Sequence, residues 1–116
     1  MGLNEIIVNG ETYVQKEKKQ SELPYVIVRT YSAGVHAGYL KSRNGKEVEL
    51  FNSRRIWYWA GAMTLSQLAM DGTKKPENCK FPMAVDSIIL TEAIEIIPCT
   101  NIARKSIEAV YEWNYE

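Results

Sequence analysis

Residues 29–59 read RTYSAGVHAGYLKSRNGKEVELFNSRRIWYW. Two extended runs in this stretch flank Asn44-Gly45, which is the strongest short-range signal for a β-hairpin, because a type I′ turn needs positive φ at both central residues. Arg54 and Arg55 follow, and then Trp57-Tyr58-Trp59. Guanidinium groups suit phosphates, and indole rings offer flat faces to bases. The stretch therefore predicts a hairpin that leads into a surface for an anionic, base-containing ligand.

Composition limits the chain to one modest domain. It has 116 residues, of which 46% are hydrophobic, and a formal net charge of zero. Without net charge there is no general attraction to duplex nucleic acid or to an anionic membrane. Basic residues concentrate in residues 25–59, whereas five glutamates lie from Glu92 onward. This asymmetry suits a small anionic ligand or the association of unlike surfaces, and a solvated mixed-charge surface is the alternative.

Residues that could hold a metal are few. Cys79 and Cys99 are the two cysteines, no CxxC motif occurs, and His36 is the one histidine. These are too few ligands for a zinc site, so we expect free thiols in a reducing cytosol. We also expect no signal peptide and no membrane-spanning segment. The sequence predicts an intracellular protein without a metal or cofactor.

The pattern of extended and helical segments predicts an α+β fold in a single domain. A small hairpin at residues 5–14 and a linker at 16–23 precede a core of about residues 25–112. The core has strands near 25–31, 35–41, 46–51, 54–59, 84–90 and 92–97, and helices at 62–71 and from residue 100. Asn52-Ser53 is predicted to form a corner, Gly38 a bulge or close approach, and Thr64 and Thr100 helix caps. The expected architecture is a small, mainly antiparallel β-sheet with one central and one C-terminal helix.

Catalytic pairs are hard to assemble from this sequence. His36 is the one histidine, which removes most nucleophile–base arrangements, and a satisfied or exposed strand histidine is favoured over a general base. Glu92 and Glu95 point to opposite faces of the predicted last strand. No P-loop, strand-linked GxGxxG or HExxH motif is present. A binding protein is therefore favoured over an enzyme, although a small nucleotide-hydrolysing enzyme using His36, Glu92 or Glu95, and a structural or adaptor module, are the alternatives.

The sequence is similar to a small family of phage proteins that antagonise Thoeris antiviral defence. The similarity lies in VRTYSAGVHAGYL (28–40), SRNGKEVEL (42–50), NSRRIWYWAGAMTLSQLA (52–69) and LTEAIEIIPCT (90–100). Members of that family bind a cyclic ADP-ribose isomer intact and so keep it from the host effector. The resemblance implies a homodimer or homohexamer in the host cytoplasm that sequesters its ligand without degrading it. It also implies a separate site for cyclic oligonucleotides, which some members have.

Seven residues are the expected ligand contacts: Arg29, Arg54, Arg55, Trp57, Phe81, Asn101 and Arg104. Arg104 can reach a phosphate or cover a base, and Asn101 offers a donor and an acceptor to an adenine edge. Phe81 stacks on the ligand or packs under its own loop, and Arg104 contacts the ligand or pairs with Glu108. Trp57 is either core or ligand-facing, and Arg54 and Arg55 either pair with C-terminal glutamates or face the ligand.

Overall fold

The computed structural model describes residues 20–113. Its elements are β1 (Tyr25–Thr30), β2 (Val35–Asn44), β3 (Glu47–Arg55), α1 (Leu65–Asp71), β4 (Val85–Leu90), β5 (Ala93–Pro98) and α2 (Asn101–Glu108), with short 3₁₀ turns at Gln20–Glu22 and Pro76–Asn78. The predicted α+β architecture, an antiparallel sheet with a central and a C-terminal helix, is confirmed. The predicted hairpin at residues 5–14 and the first half of the predicted linker, residues 16–19, lie outside the described residues.

The sheet curls until its two edges approach each other. The strand order is β4-β3-β2-β1-β5, so consecutive strands β4 and β5 occupy opposite edges. The three peptide units between Leu90 and Ala93 span at most about 11 Å. Leu90 pairs with Val48 on β3, and Ala93 pairs with Thr30 on β1. The β5 edge is also bonded to the turn between β2 and β3, because the Ala93 N–H donates to the Lys46 carbonyl at 3.0 Å.

The alternation of side chains along β1 divides the core into two clusters. Val26 and Val28 belong to a cluster made by strand residues alone, together with Val48, Leu50, Leu90 and Ala93. Tyr25 and Ile27 face the other way and pack with residues of both helices, such as Leu68 and Ile107. The curl of the sheet encloses one of its faces, and the two helices cover the other face. The residues just before α2 are bonded to the start of β1, which places α2 beside it.

The β2–β3 hairpin is present, but its turn lies one residue later than predicted. Asn44 pairs with Glu47, which leaves Gly45 and Lys46 as the central residues. Gly45 has φ 62°, and among the described non-glycine residues only Asn52 has positive φ. Positive φ at the first central residue alone is the type II′ pattern, so the predicted type I′ turn at Asn44-Gly45 is wrong.

The predicted corner at Asn52-Ser53 is instead a bulge within β3. Ala37 pairs with Arg54 and Tyr39 pairs with Phe51, so Asn52 and Ser53 both lie opposite Gly38. Asn52 has φ 49°, a left-handed value that asparagine tolerates better than most residues. The close approach predicted as one alternative at Gly38 is present, and the extra residue of the bulge lies opposite it on β3. Because β3 continues through Asn52 and ends at Arg55, the separate strand predicted at 54–59 is wrong.

Both helices begin at the predicted caps. The Thr64 hydroxyl accepts from the Gln67 N–H, and the Thr100 hydroxyl accepts from the Ala103 N–H. α1 starts at Leu65, three residues later than predicted, and Gly72 ends it with φ 76°. Within residues 20–113 neither helix has the length and apolar character needed to cross a bilayer.

Candidate functional site

A cavity of about 250 Å³ opens where α2 begins, and we call it the α2 pocket. Its walls come from the start of β1, the middle of β2 and the junction of β5 with α2. The lining residues are Leu23, Pro24, Tyr25, Tyr39, Pro98, Cys99, Asn101 and Arg104. Sheet register brings the two tyrosines together, because Tyr25 pairs with Tyr39 and their rings meet edge to face at 4.8 Å.

The backbone fixes the start of α2 against the sheet and against α1. The Cys99 N–H donates to the Tyr25 carbonyl at 2.8 Å, and the Thr100 N–H donates to the Ala69 carbonyl at 3.0 Å. The Thr100 side chain caps the Ala103 N–H. The N–H groups of Asn101 and Ile102 precede any helical carbonyl that could accept them. The first turn of α2 therefore presents donors and a partial positive charge beside the α2 pocket.

Arg104 and Tyr39 line the α2 pocket, and both hydrogen-bond Glu108, which is not itself among the lining residues. Arg104 Nη1 donates to Glu108 Oε1 at 3.0 Å, and both side chains are partly exposed. The Tyr39 hydroxyl donates to Glu108 Oε2 at 2.6 Å. Burial and the hydrogen bond to Glu108 raise the pKa of Tyr39. The hydrogen bond with Tyr39 raises the pKa of Arg104, so its guanidinium remains charged beside the pocket.

Tyr25 carries an orphan hydroxyl in the pocket wall. The residue is 4% exposed, and its hydroxyl has no hydrogen-bond partner among residues 20–113. Burial, followed by the nearby charge of Glu108, raises its pKa. Buried hydroxyls in folded proteins are nearly always paired, so an orphan beside a cavity marks an incomplete polar network.

The remaining polar groups of the α2 pocket offer hydrogen bonds and charge. Burial raises the pKa of the Cys99 thiol to about 12, which keeps it protonated at neutral pH and weakly nucleophilic. Asn101 is exposed at the first position of α2. Within the part of the chain that the structure describes, no three His, Cys, Asp or Glu side chains cluster in a way that could hold a metal ion. The groups present suit recognition of an anion.

The α2 pocket brings together two of the seven expected contact residues, Asn101 and Arg104. The alternative pairing of Arg104 with Glu108 is also present. Sequence reasoning missed Tyr25, Tyr39 and the second bond of Glu108, because strand register and a distance across the fold create them. The alternation of Tyr25 and Ile27 toward one face is the available signal for Tyr25.

Arg54 is a structural residue rather than a solvent-facing contact, which corrects its expected place in the site. It is 7% exposed, and its guanidinium donates to four main-chain carbonyls: Phe81 at 2.9 Å, Pro82 at 3.4 Å, Ile107 at 3.2 Å and Val110 at 2.6 Å. Burial lowers its pKa. Neither glutamate pairing nor a ligand is therefore needed to satisfy this side chain, which ties β3 to the end of α2.

Phe81 is also in the core, which corrects its expected role as a stacking surface. It is 0% exposed, and its ring lies 5.4 Å from the Arg54 guanidinium. A ring without exposed surface cannot stack on a ligand in this conformation. The alternative of packing under its own loop describes its position better.

Arg29 and Arg55 are exposed but lie away from the α2 pocket. Arg29 Nε pairs with Glu95 Oε1 at 2.9 Å. Arg55 Nη1 donates to the Ala33 carbonyl at 2.7 Å, and His36 Nε2 donates to the same carbonyl at 2.9 Å. His36 is buried, and burial lowers its pKa. The prediction that His36 is a strand histidine with its hydrogen bond satisfied is confirmed. The five expected contact residues outside the α2 pocket do not form one site.

Trp57 belongs to an exposed cluster that we call the aromatic patch, made of Trp57, Tyr58, Lys80 and Trp113. Trp57 is 61% exposed and its ring lies 4.8 Å from that of Trp113. Lys80 Nζ lies 5.5 Å from the Trp113 ring and 6.0 Å from the Tyr58 ring. The main-chain N–H of Trp113 donates to the Phe81 carbonyl at 2.9 Å, which holds this part of the chain against Phe81. The patch is an apolar and cationic surface, and none of its four residues lines the α2 pocket.

Comparison with known proteins adds a family but no activity. A search of curated proteins and a search of solved structures each find no match. The family model for a domain of unknown function (DUF6948) matches residues 23–107, which include all five strands, α1, α2 up to Ile107 and the α2 pocket. The chain therefore belongs to the DUF6948 family.

Proposed function

We propose that this protein binds and sequesters an anionic signalling nucleotide, a cyclic ADP-ribose isomer, at the α2 pocket without degrading it. The observation that supports this most is the convergence of Arg104, Asn101 and the first turn of α2 on one cavity. The resemblance to Thoeris antagonists supports the choice of ligand. In this proposal the protein is phage-encoded, acts in the host cytoplasm and withholds the signal from an immune effector.

Each part of such a ligand has a matching group in the α2 pocket. The diphosphate would lie against the Arg104 guanidinium and the N–H groups at the start of α2, since both favour anions. The Asn101 amide would hydrogen-bond the edge of the adenine. Leu23, Pro24 and Pro98 would contact the apolar faces of the ligand. The protein would then act by holding one ligand molecule per site tightly, rather than by catalytic turnover.

The size of the α2 pocket supports a site completed by a second copy of the chain. Its volume of about 250 Å³ is below the roughly 300–1,000 Å³ of pockets that enclose drug-sized ligands. The aromatic patch is a suitable subunit interface, because large exposed apolar patches on small domains mark association surfaces. We propose a homodimer or homohexamer, and light scattering that returns only the 13.3 kDa monomer mass at micromolar concentration would contradict it.

The fate of the ligand tests the proposed function directly. The protein is incubated with the cyclic ADP-ribose isomer, denatured by heat, and the supernatant is analysed by mass spectrometry. The proposal predicts that the bound ligand is released intact and in stoichiometric amount. A linearised or cleaved product would instead favour the nucleotide-hydrolysing alternative.

A second candidate, an adaptor module, is favoured by the aromatic patch alone. It predicts assembly through Trp57 and Trp113 but no heat of binding with ADP-ribose isomers or cyclic nucleotides. Calorimetry with these ligands separates it from sequestration. The second, cyclic-oligonucleotide site stays a prediction from the resemblance, and the same titrations test it.

A further inference from the structure

We infer that Glu108 is a built-in competitor for the anion that the α2 pocket takes, and that the orphan hydroxyl of Tyr25 becomes its donor once an anion has taken Arg104. This inference rests on the proposed function, because it concerns the same pocket. It assigns Glu108 and Tyr25 to the control of affinity rather than to ligand contact.

Arg104 already pairs with an anion, the Glu108 carboxylate. Glu108 Oε1 accepts from Arg104 Nη1 at 3.0 Å, while Tyr39 holds Oε2 at 2.6 Å. A guanidinium has several donors, but a ligand phosphate and the Glu108 carboxylate repel each other at one cation. An incoming anion must therefore weaken or displace the Arg104–Glu108 pair. Every anion then binds with a reduced affinity, so that weakly held cellular anions stay unbound while a ligand with many contacts still binds.

The Tyr25 hydroxyl is a donor that could replace Arg104 as the partner of Glu108. Tyr25 is almost fully buried, its hydroxyl is unpartnered within the described residues, and Glu108 is among the charges that act on it. Tyr25 and Glu108 also line together a second cavity of about 310 Å³. A small movement of the carboxylate away from Arg104 would bring it toward a hydroxyl that has a hydrogen bond to give. The Tyr25 hydroxyl, which has no partner within the described residues of the free protein, would thus gain Glu108 as its acceptor when the anion is bound.

The test titrates pyrophosphate into the parent and into Glu108→Gln, which keeps an oxygen for Tyr39 but removes the charge. An exposed helical ion pair contributes up to about 1 kcal/mol, which corresponds to roughly fivefold in affinity, so Glu108→Gln is expected to bind about fivefold more tightly. Glu112→Gln is the matched control, since Glu112 lines the same cavity of about 310 Å³ as Glu108, whereas the ion pair of Arg104 is with Glu108. We expect Glu112→Gln to bind like the parent.

Tyr25→Phe completes the design. It is expected to weaken pyrophosphate binding in the parent but to have no effect in the Glu108→Gln background, because the coupling requires both groups. Arg104→Ala separates the two proposals. If Arg104→Ala weakens binding while Glu108→Gln does not strengthen it, the inference about Glu108 is overturned and the pocket stands. If Arg104→Ala binds pyrophosphate like the parent, both fail.

A measurement on the parent protein covers the case in which a variant does not fold. The carboxyl ¹³C resonance of Glu108 is followed by NMR while pyrophosphate is added. The inference predicts that this resonance shifts on saturation and that the Glu112 resonance stays in place. A Glu108 resonance that does not respond at saturating pyrophosphate overturns it.

Discussion

Arg54 and Arg55 are neighbours in sequence with opposite environments. Arg54 points inward and satisfies four main-chain carbonyls, whereas Arg55 is exposed and donates to one. Two of the four carbonyls, Ile107 and Val110, lie at the end of α2, where a cation also favours the helix dipole. The guanidinium is therefore a tie between the sheet and the helix that carries Arg104.

Replacement of Arg54 by lysine should destabilise the protein strongly. An ammonium group cannot reproduce the planar fork, and the unpaired carbonyls make the expected loss about 2–4 kcal/mol. Arg55→Lys is the matched control and should stay within about 0.5 kcal/mol of the parent. Urea unfolding measures both. An Arg54→Lys variant as stable as the parent would show that these hydrogen bonds contribute little.

Tyr25 and Tyr39 are paired across two strands. The Tyr39 hydroxyl donates to Glu108, whereas the Tyr25 hydroxyl has no hydrogen-bond partner among the described residues. Tyr25→Phe removes a buried, unpaired hydroxyl and should leave stability unchanged or raise it by up to about 1 kcal/mol. Tyr39→Phe removes the donor to Glu108 and should lower stability by about 1–2 kcal/mol. Thermal unfolding of the two variants gives the comparison. Equal losses in both would mean that the Tyr25 hydroxyl has a partner in solution.

At the scale of the secondary-structure element, the helix N-caps could be predicted from the sequence, whereas the pairing of strand residues could not. Thr64 and Thr100 cap their helices through hydrogen bonds to residues three positions on, so local sequence contains the whole signal. The turn at Gly45 and the continuation of β3 through Asn52 depend on which strand residues pair, which local sequence does not specify. The displaced turn and the incorrect corner both have this origin.

Gly38 should tolerate no side chain, because the bulge of β3 lies directly opposite it. A Cβ atom there would meet the Phe51 carbonyl oxygen and the Ser53 Cα at 3.1 Å. Backbone cannot yield as a flexible side chain does, so Gly38→Ala should cost about 1–3 kcal/mol. Gly45→Asn is the control, since the turn has open space and asparagine visits positive φ, and its cost should be below about 1 kcal/mol. Denaturant midpoints that are equal for both variants would contradict this account of the bulge.

At the scale of the whole molecule, buried phenol and thiol groups predict alkaline instability. Burial raises the pKa of Cys99 from 9.0 to about 12 and also raises those of Tyr25 and Tyr39 above their ordinary value of 10.0. A raised folded pKa gives stability that is complete below the unfolded value and is lost as pH rises toward the folded one. The melting temperature should therefore be level between about pH 7 and pH 9 and fall above that range, while the lowered pKa of His36 predicts a loss of stability as the pH falls below about 6.5. Cys99→Ala should make the alkaline fall shallower relative to its own value at pH 7, and an unchanged slope would contradict the assignment.

The candidate site could be predicted from sequence in part. Asn101 and Arg104 follow a recognisable cap and therefore lie at the start of a helix, where an anion is favoured. Tyr25 and Tyr39 enter the pocket through sheet register, and Glu108 joins them across the fold. Phe81 and Arg54 were misplaced because loop position and charge usually indicate exposure, whereas here each satisfies the other in the core.

The central claim is that the α2 pocket binds a cyclic ADP-ribose isomer through Arg104, and calorimetry with that ligand tests it most directly. The account predicts saturable binding by the parent. It predicts at least about tenfold weaker binding by Arg104→Ala, because truncating a charged partner of a phosphate costs about 2–5 kcal/mol. Lys105→Ala, one position along α2, should bind like the parent and all three proteins should melt within a few degrees of one another. Absence of binding by the parent, or equal affinity in Arg104→Ala, would contradict the claim.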